Sequence, residues 1–160
     1  GRCLLEPRTL AKMFDSLNIS NAELVLDIGA AYGYSTAVAA RMAQLVIAVE
    51  EDEEMADEAQ TLLMEAGIDN AVVHKGPLAA GAPEHGPYDV ILVQGGVEDV
   101  PQALLDQLKD GGRIACIFMD GDLGTVRIGH KAAGRLSWRF DFNAGAPIAP
   151  GFAKQRVFAL

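Results

Sequence analysis

Two features of this sequence carry residue types at spacings that chemistry uses. The first is Val25-Leu26-Asp27-Ile28-Gly29-Ala30-Ala31-Tyr32-Gly33, an apolar run that turns into Asp-x-Gly-x-x-x-Gly at the point where a helix is expected to begin. Glycine lets backbone approach a ligand closely, and the carboxyl ends of strands at a switch point are where open α/β sheets bind ligands. A nucleotide-type pocket is the expectation. The loop is not the dinucleotide fingerprint, because Ala31 stands where its second glycine would be, and no Gly-Lys-Ser/Thr of a phosphate loop occurs. The second feature is Glu50, closing the next apolar run, Val46 to Val49. A carboxylate at the tip of the second strand can accept both hydroxyls of a ribose, which makes adenosine recognition the reading that joins the two features. Taken singly, the glycines describe a tight turn and Glu50 a solvated charge at a helix start; their joint occurrence favours the pocket.

Other constellations are weaker. Gly33-Tyr34-Ser35-Thr36-Ala37 approximates a hydrolase elbow, with Asp89 and His130 in triad order, but its last glycine is missing and Ser35 lies beyond the sharp turn. Ser35 and Thr36 are better read as the first turn of a helix. His74, His85 and His130 share no ligand spacing, so they are read as surface residues and no metal centre is expected. The acidic block from Glu50 to Glu58 lacks the alternating acids and central glycine of a calcium loop and reads as a solvated helix face. Cys116 sits inside an apolar run and is expected to be buried and inert, while Trp138, Phe140 and Phe142 alternate with Arg139 and Asp141 as in a half-buried strand.

The elements that must position these residues follow from periodicity. Leu10, Met13, Phe14 and Leu17 fall on one face of a helix over Thr9 to Leu17, with Pro7 near its start. Leu24 to Ile28 is a strand, Tyr34 to Ala43 an Ala-rich helix, and Val46 to Val49 a second strand. A third helix follows the acidic block, burying Met55, Ala59, Leu62 and Leu63 until Gly67 stops it. Then come Ala71 to His74, Val90 to Val93, a helix-like Pro101 to Leu108, a Gly111-Gly112 turn and a strand from Arg113 to Phe118. Beyond it, Leu136 to Phe142 and Lys154 to Leu160 read as an antiparallel pair. Repeated βα units before a β-rich end predict an α/β fold: a doubly wound, mostly parallel sheet with helices on both faces and an antiparallel C-terminal strand.

The composition sets the outer limits. In 160 residues, half of them apolar, 13 Lys and Arg face 22 Asp and Glu, for a net charge of −9. That balance opposes attraction to nucleic acid or to anionic lipid, so neither is expected as a partner. No apolar run approaches the ~20 residues of a membrane span, and two distant cysteines form no zinc or disulfide framework, which fits a soluble protein of a reducing cytoplasm. The chain reads as one domain over 1–160. It opens at Gly1 without Met and directly in patterned sequence, so an N-terminal segment can be missing. The oligomeric state is not legible.

With these elements placed, the chain resembles the S-adenosyl-L-methionine-dependent methyltransferases of the seven-stranded Rossmann-like class. The residues are Asp27 to Gly33, Glu50, Tyr88-Asp89-Val90-Ile91, and Leu105-Asp106-Gln107-Leu108-Lys109-Asp110-Gly111-Gly112. Within that class it is similar to the protein-L-isoaspartate O-methyltransferase family. That similarity rests on Gly1-Arg2-Cys3-Leu4-Leu5-Glu6-Pro7, Gly67-Ile68-Asp69-Asn70-Ala71-Val72, Val100-Pro101 with Leu104-Leu105, and Ala146-Pro147 with Pro150-Gly151-Phe152. The resemblance implies carboxyl methylation of damaged aspartyl residues in a protein or peptide. It places Asp27 and the backbone of Gly29, Ala31 and Gly33 near the methionine part of the cofactor, and Glu50 on the ribose. Gln94, with Gly95 and Gly96, would border the sulfonium or the acceptor, and Leu78 would clamp the adenine. Two positions depart from the family: Leu5 stands where its serine lies by the substrate carboxylate, and Gly76-Pro77-Leu78 replaces Gly-Asp-Gly at the adenine. A cofactor-binding module without methyl transfer, or a methyltransferase with another acceptor, therefore stays open beside the first reading.

Overall fold

The computed structural model describes residues 2–157. It contains one seven-stranded sheet in the order β3-β2-β1-β4-β5-β6-β7. The strands are β1 (Leu24–Ile28), β2 (Leu45–Glu50), β3 (Ala71–Lys75), β4 (Tyr88–Val97), β5 (Leu108–Asp120), β6 (Leu123–Ala132) and β7 (Arg135–Asn143). The first five are parallel, and β6 and β7 close the sheet antiparallel. The chain runs outward from β1 through β2 to β3 and then returns to place β4 on the other side of β1, so the switch point lies between β1 and β4. The expected doubly wound, mostly parallel architecture is the one found.

Alternation along each strand divides the core between two faces. Val25 and Val46 share one cluster with Leu10, Met13, Phe14 and Leu17 of α1 (Pro7–Leu17), Ala39 of α2 (Tyr34–Ala40) and Leu63 of α3 (Glu53–Glu65). Leu26, Ile28, Ile47 and Val49 point to the opposite face, where Leu78 and the Leu104 of the short α4 (Gln102–Leu105) join them. Asp52 starts α3 by accepting from the Met55 amide at 3.0 Å, and Gly67 ends it in a left-handed turn, with the Ile68 amide bonded to the Leu63 carbonyl at 2.9 Å. Its buried positions are Ala56, Ala59 and Leu63; Leu62, expected inside, lies on the open side of that stripe and is exposed.

Three expectations about the second half need correction. The helix expected over Pro101 to Leu108 is only one turn long, because the Tyr88 amide takes the Gln107 carbonyl at 2.7 Å and Leu108 already pairs with Tyr88 in the sheet. The strand Leu136 to Phe142 exists as part of β7, but its partner is β6, joined to it by the Ala133-Gly134 turn. Lys154 to Leu160 is not that partner: residues 154–157 form no strand, and the remainder lies outside the described residues. The chain just before it is held elsewhere, since Phe152 is fully buried and its carbonyl accepts from the Glu98 amide at 2.9 Å. On the edge strand β7, Trp138 packs edge-on against Phe118 with ring centres 4.8 Å apart, whereas Phe140 faces solvent.

Candidate active site at the switch point

The carboxyl ends of β1, β2 and β4 bring together Asp27, the Gly29 to Gly33 loop, Glu50 and Gln94. The loop is a succession of left-handed residues. Gly29 has φ 83°, Ala31 φ 49° and Gly33 φ 86°, so the chain reverses from strand to helix within five residues. The Gly29 and Ala30 amides bond back to the Val49 carbonyl at 2.9 and 3.3 Å, which ties the loop to the end of β2. Ala31 takes the left-handed turn at a cost that a glycine there would not incur.

Asp27 is fully buried, and its carboxylate points into the loop's supports. Ser35 Oγ and Thr36 Oγ1 each donate to Oδ2 at 2.7 Å, and Gln94 Nε2 donates to Oδ1 at 3.0 Å. Burial raises the Asp27 pKa, the three donors pull against that shift, and the nearby Glu50 charge adds to it. Asp27 thus clamps the first turn of α2 to the end of β4. The sequence singles out Asp27 and Gln94 and places Ser35 and Thr36 in the first turn of a helix, but does not join the four through one carboxylate. The available signal was two hydroxyls in the first turn of the helix that follows the acid.

Glu50 is also fully buried, at the tip of β2. Its Oε2 accepts from the Ala31 amide at 2.8 Å and its Oε1 from the Asp52 amide at 3.0 Å. The carboxylate therefore faces the glycine loop, where a ribose-binding acid needs to be. Its third partner is the Arg2 guanidinium, an ion pair that no sequence pattern announced. Arg2 Nε is buried without a hydrogen-bond partner, the only such side-chain atom among the described residues. The segment 2–5 lies across the crevice as a lip: Cys3, Leu4 and Leu5 join Gly29, Ala30 and Gln94 around a remaining space of about 10 Å³.

The other expected contacts are placed as follows. Leu78 is buried on the face that holds Val49 and Ile91, as a core side chain. Gly95 and Gly96 belong to β4 itself, which runs on to Val97. A Cβ on Gly96 would meet the Ala146 carbonyl at 2.6 Å, and the Gly96 amide and carbonyl pair with Pro147 and Ala149, both at 2.8 Å. Those glycines admit the closing Ala146 to Phe152 segment against the sheet. Ser35, spent on Asp27, and the exposed His130 form no triad. Cys116 is buried and its thiol is pushed up by that burial. A cavity of about 500 Å³ lies away from the glycine loop, along the β5–β6 hairpin beside Glu98, Phe118 and Arg127.

A parallel sheet reversed between β1 and β4, closed by an antiparallel pair and carrying a glycine loop opposite a strand-tip acid, defines the Rossmann-like methyltransferase fold. The family model described as Protein-L-isoaspartate(D-aspartate) O-methyltransferase (PCMT) matches residues 2–131, and the chain belongs to that family. It is similar to the protein-L-isoaspartate O-methyltransferase of Vibrio parahaemolyticus, 34% identical over 94% of this chain and 73% of that protein. It is also similar to protein-L-isoaspartate O-methyltransferase 2 of Pelobacter propionicus, 40% identical over 71% of this chain. The chain's match spans about half of that relative, 51% of its length. A solved protein-L-isoaspartate O-methyltransferase superposes with a TM-score of 0.83 at 28% identity, over 91% of this chain and 47% of the other. A beta-aspartate methyltransferase from Plasmodium falciparum in complex with S-adenosyl-L-homocysteine shares the fold, with a TM-score of 0.76 at 16% identity over 92% of this chain and 76% of that one.

Proposed function

We propose that the chain binds S-adenosyl-L-methionine at the switch point and methylates a carboxylate of a damaged aspartyl residue in a protein or peptide. The observation that carries this reading is the Glu50 carboxylate: fully buried, aimed at the Ala31 amide and unable to satisfy Arg2 completely. A buried donor left unbonded costs about 1–3 kcal/mol, so Arg2 is a partner that a diol can displace. The donor set fits the nucleoside: a strand-tip acid for the ribose hydroxyls, and a loop whose left-handed residues bring backbone close. Asp27 holds that loop through Ser35, Thr36 and Gln94 and acts as a positioning residue. Gln94 borders the remaining space beside Gly29 and Ala30, while Leu78 supports the site from within the core.

The bound cofactor supplies a methyl group on a sulfonium, ready for transfer to a nucleophile. A carboxylate acceptor is already ionised near neutral pH, so the chain needs no general base, in keeping with the lack of any acid/base pair among the groups gathered here. What it must do is orient and exclude water. Residues 2–5 are placed for that as the lip of the crevice, once Arg2 has left Glu50. Among the described residues, no helix is long and apolar enough to cross a membrane.

Leu5, buried over the crevice where the family's serine would meet the substrate carboxylate, favours a second reading of binding without transfer to that acceptor. Calorimetry with S-adenosyl-L-methionine, followed by a methyl-transfer assay on an isoaspartyl peptide, separates the two. Saturable binding with turnover supports the enzyme; binding without turnover supports the module; no binding removes both.

A further inference from the structure

We infer that His74, Glu84 and His85 form a binding site for a zinc-like transition-metal ion at the carboxyl edge of the sheet, outside the cofactor crevice. His74 lies on β3, paired with Val49 of β2, and the two other residues lie in the turn Pro83–His85 that precedes β4. Their spacing in sequence gave no hint of a site; folding closes it. One donor atom from each of the three lies within 4.8 Å of the others. His74 Nδ1 stands 3.3 Å from Glu84 Oε1, and the two imidazole rings meet edge-on with centres 5.9 Å apart.

The backbone that carries these donors is fastened on both sides. Gly76, just after β3, donates its amide to the Glu50 carbonyl at 3.1 Å. The Ala82 carbonyl accepts from Tyr88 Oη at 2.6 Å, and the Ala82 amide donates to Gln107 Oε1 at 3.1 Å. Within the turn, the His85 amide returns to the Ala82 carbonyl at 3.2 Å. Only side chains therefore need to move. Ligand atoms at ~2.0–2.2 Å from zinc lie roughly 3.3 Å apart in a tetrahedron, a contraction that half-exposed side chains can make by rotation about their own bonds.

The ligand set selects the ion. Two imidazoles and one carboxylate suit zinc, copper or nickel, whereas calcium and magnesium require mainly oxygen donors. Three protein ligands leave a coordination position for water, so the site has the composition of an open centre rather than a closed structural one. A bound ion would tie the Pro83–His85 turn to the end of β3, next to the Gly76-Pro77-Leu78 loop.

The test is calorimetric titration of the full chain with zinc chloride in chelator-free buffer, in a Cys3→Ser background that removes the accessible thiol. One equivalent is expected to bind with micromolar affinity and to raise the melting temperature. His74→Ala and His85→Ala should each weaken binding by at least about tenfold, since even residues supporting a metal ligand are worth that much. His85 is exposed, so its variant tests the site with little risk to the fold. Cobalt substituted for zinc gives an independent reading, with visible absorption of a nitrogen and oxygen site and no thiolate band. Zinc binding that is not saturable, that is unchanged in both histidine variants, or whose cobalt spectrum shows thiolate overturns the assignment. None of these outcomes depends on cofactor binding.

Discussion

On the proposed reading, Glu50 and Arg2 set the affinity of the crevice between them. Removing the carboxylate in Glu50→Ala should weaken binding of S-adenosyl-L-homocysteine by about 1–3 kcal/mol, the worth of hydrogen bonds to a charged group. Removing the competitor in Arg2→Ala should act in the opposite sense, tightening binding by about 1–2 kcal/mol, and should do nothing further in a Glu50→Ala background. Calorimetry on the two single variants and the double variant reads all three; a weaker Arg2→Ala would mean that Arg2 serves the ligand rather than excludes it. Asp27→Ala strands the Ser35, Thr36 and Gln94 donors and should cost about 3 kcal/mol of stability, seen as a lowered urea midpoint. At this scale the sequence announced the groups but not their partners. Asp27 and Glu50 stood out because acids at strand tips are uncommon, whereas the Arg2 contact spans 48 residues and obeys no local pattern.

Among the elements, the glycine loop and the first helix bear the clearest consequences. Gly33 sits at φ 86°, and a Cβ there would lie 3.3 Å from Leu63 Cγ of α3, so Gly33→Ala should lose about 1–2 kcal/mol and an unchanged urea midpoint would contradict the packing described. The end of α1 and the start of β1 are knitted to β5 by Arg113. Its Nε donates to the Leu17 carbonyl at 2.5 Å, and its two terminal nitrogens reach Glu23 at 2.6 and 2.9 Å. Bonding to Arg113 lowers the Glu23 pKa from 4.5 to about 2. The folded carboxyl then holds its proton less tightly than the unfolded one. Its stabilisation is full above pH 4.5 and is lost as pH falls toward about 2. Chemical denaturation should show Glu23→Gln less stable than the parent at neutral pH, with the difference vanishing near the acid limit.

The elements that were readable in advance are those whose burial is local. The stripe Leu10, Met13, Phe14, Leu17 is buried residue for residue as expected, and β1, β2 and β3 occur where their apolar runs lie. By contrast β6 is hidden, because Arg127, His130 and Lys131 interrupt its apolar positions and its only buried residues are Val126, Ile128 and Gly129. The apolar character of the chain's end suggested a strand there instead, since sequence alone does not say that β6 already occupies the free edge of β5.

For the whole molecule, the architecture gathers the groups proposed to recognise a nucleoside at one edge of one sheet. The small space of about 10 Å³ that Cys3, Leu4 and Leu5 leave beside Gly29 and Gln94 is beyond any sequence pattern, because it depends on how residues 2–5 lie over the sheet. On the proposed reading, binding is accompanied by a rearrangement of that lip. The most direct test of the central claim is an amide-resolved NMR titration of the chain with S-adenosyl-L-homocysteine. The account predicts saturable shifts concentrated at residues 2–5, at Gly29 to Gly33 and at Glu50 to Asp52. Absence of saturable shifts, or shifts confined to the cavity along the β5–β6 hairpin, would contradict it.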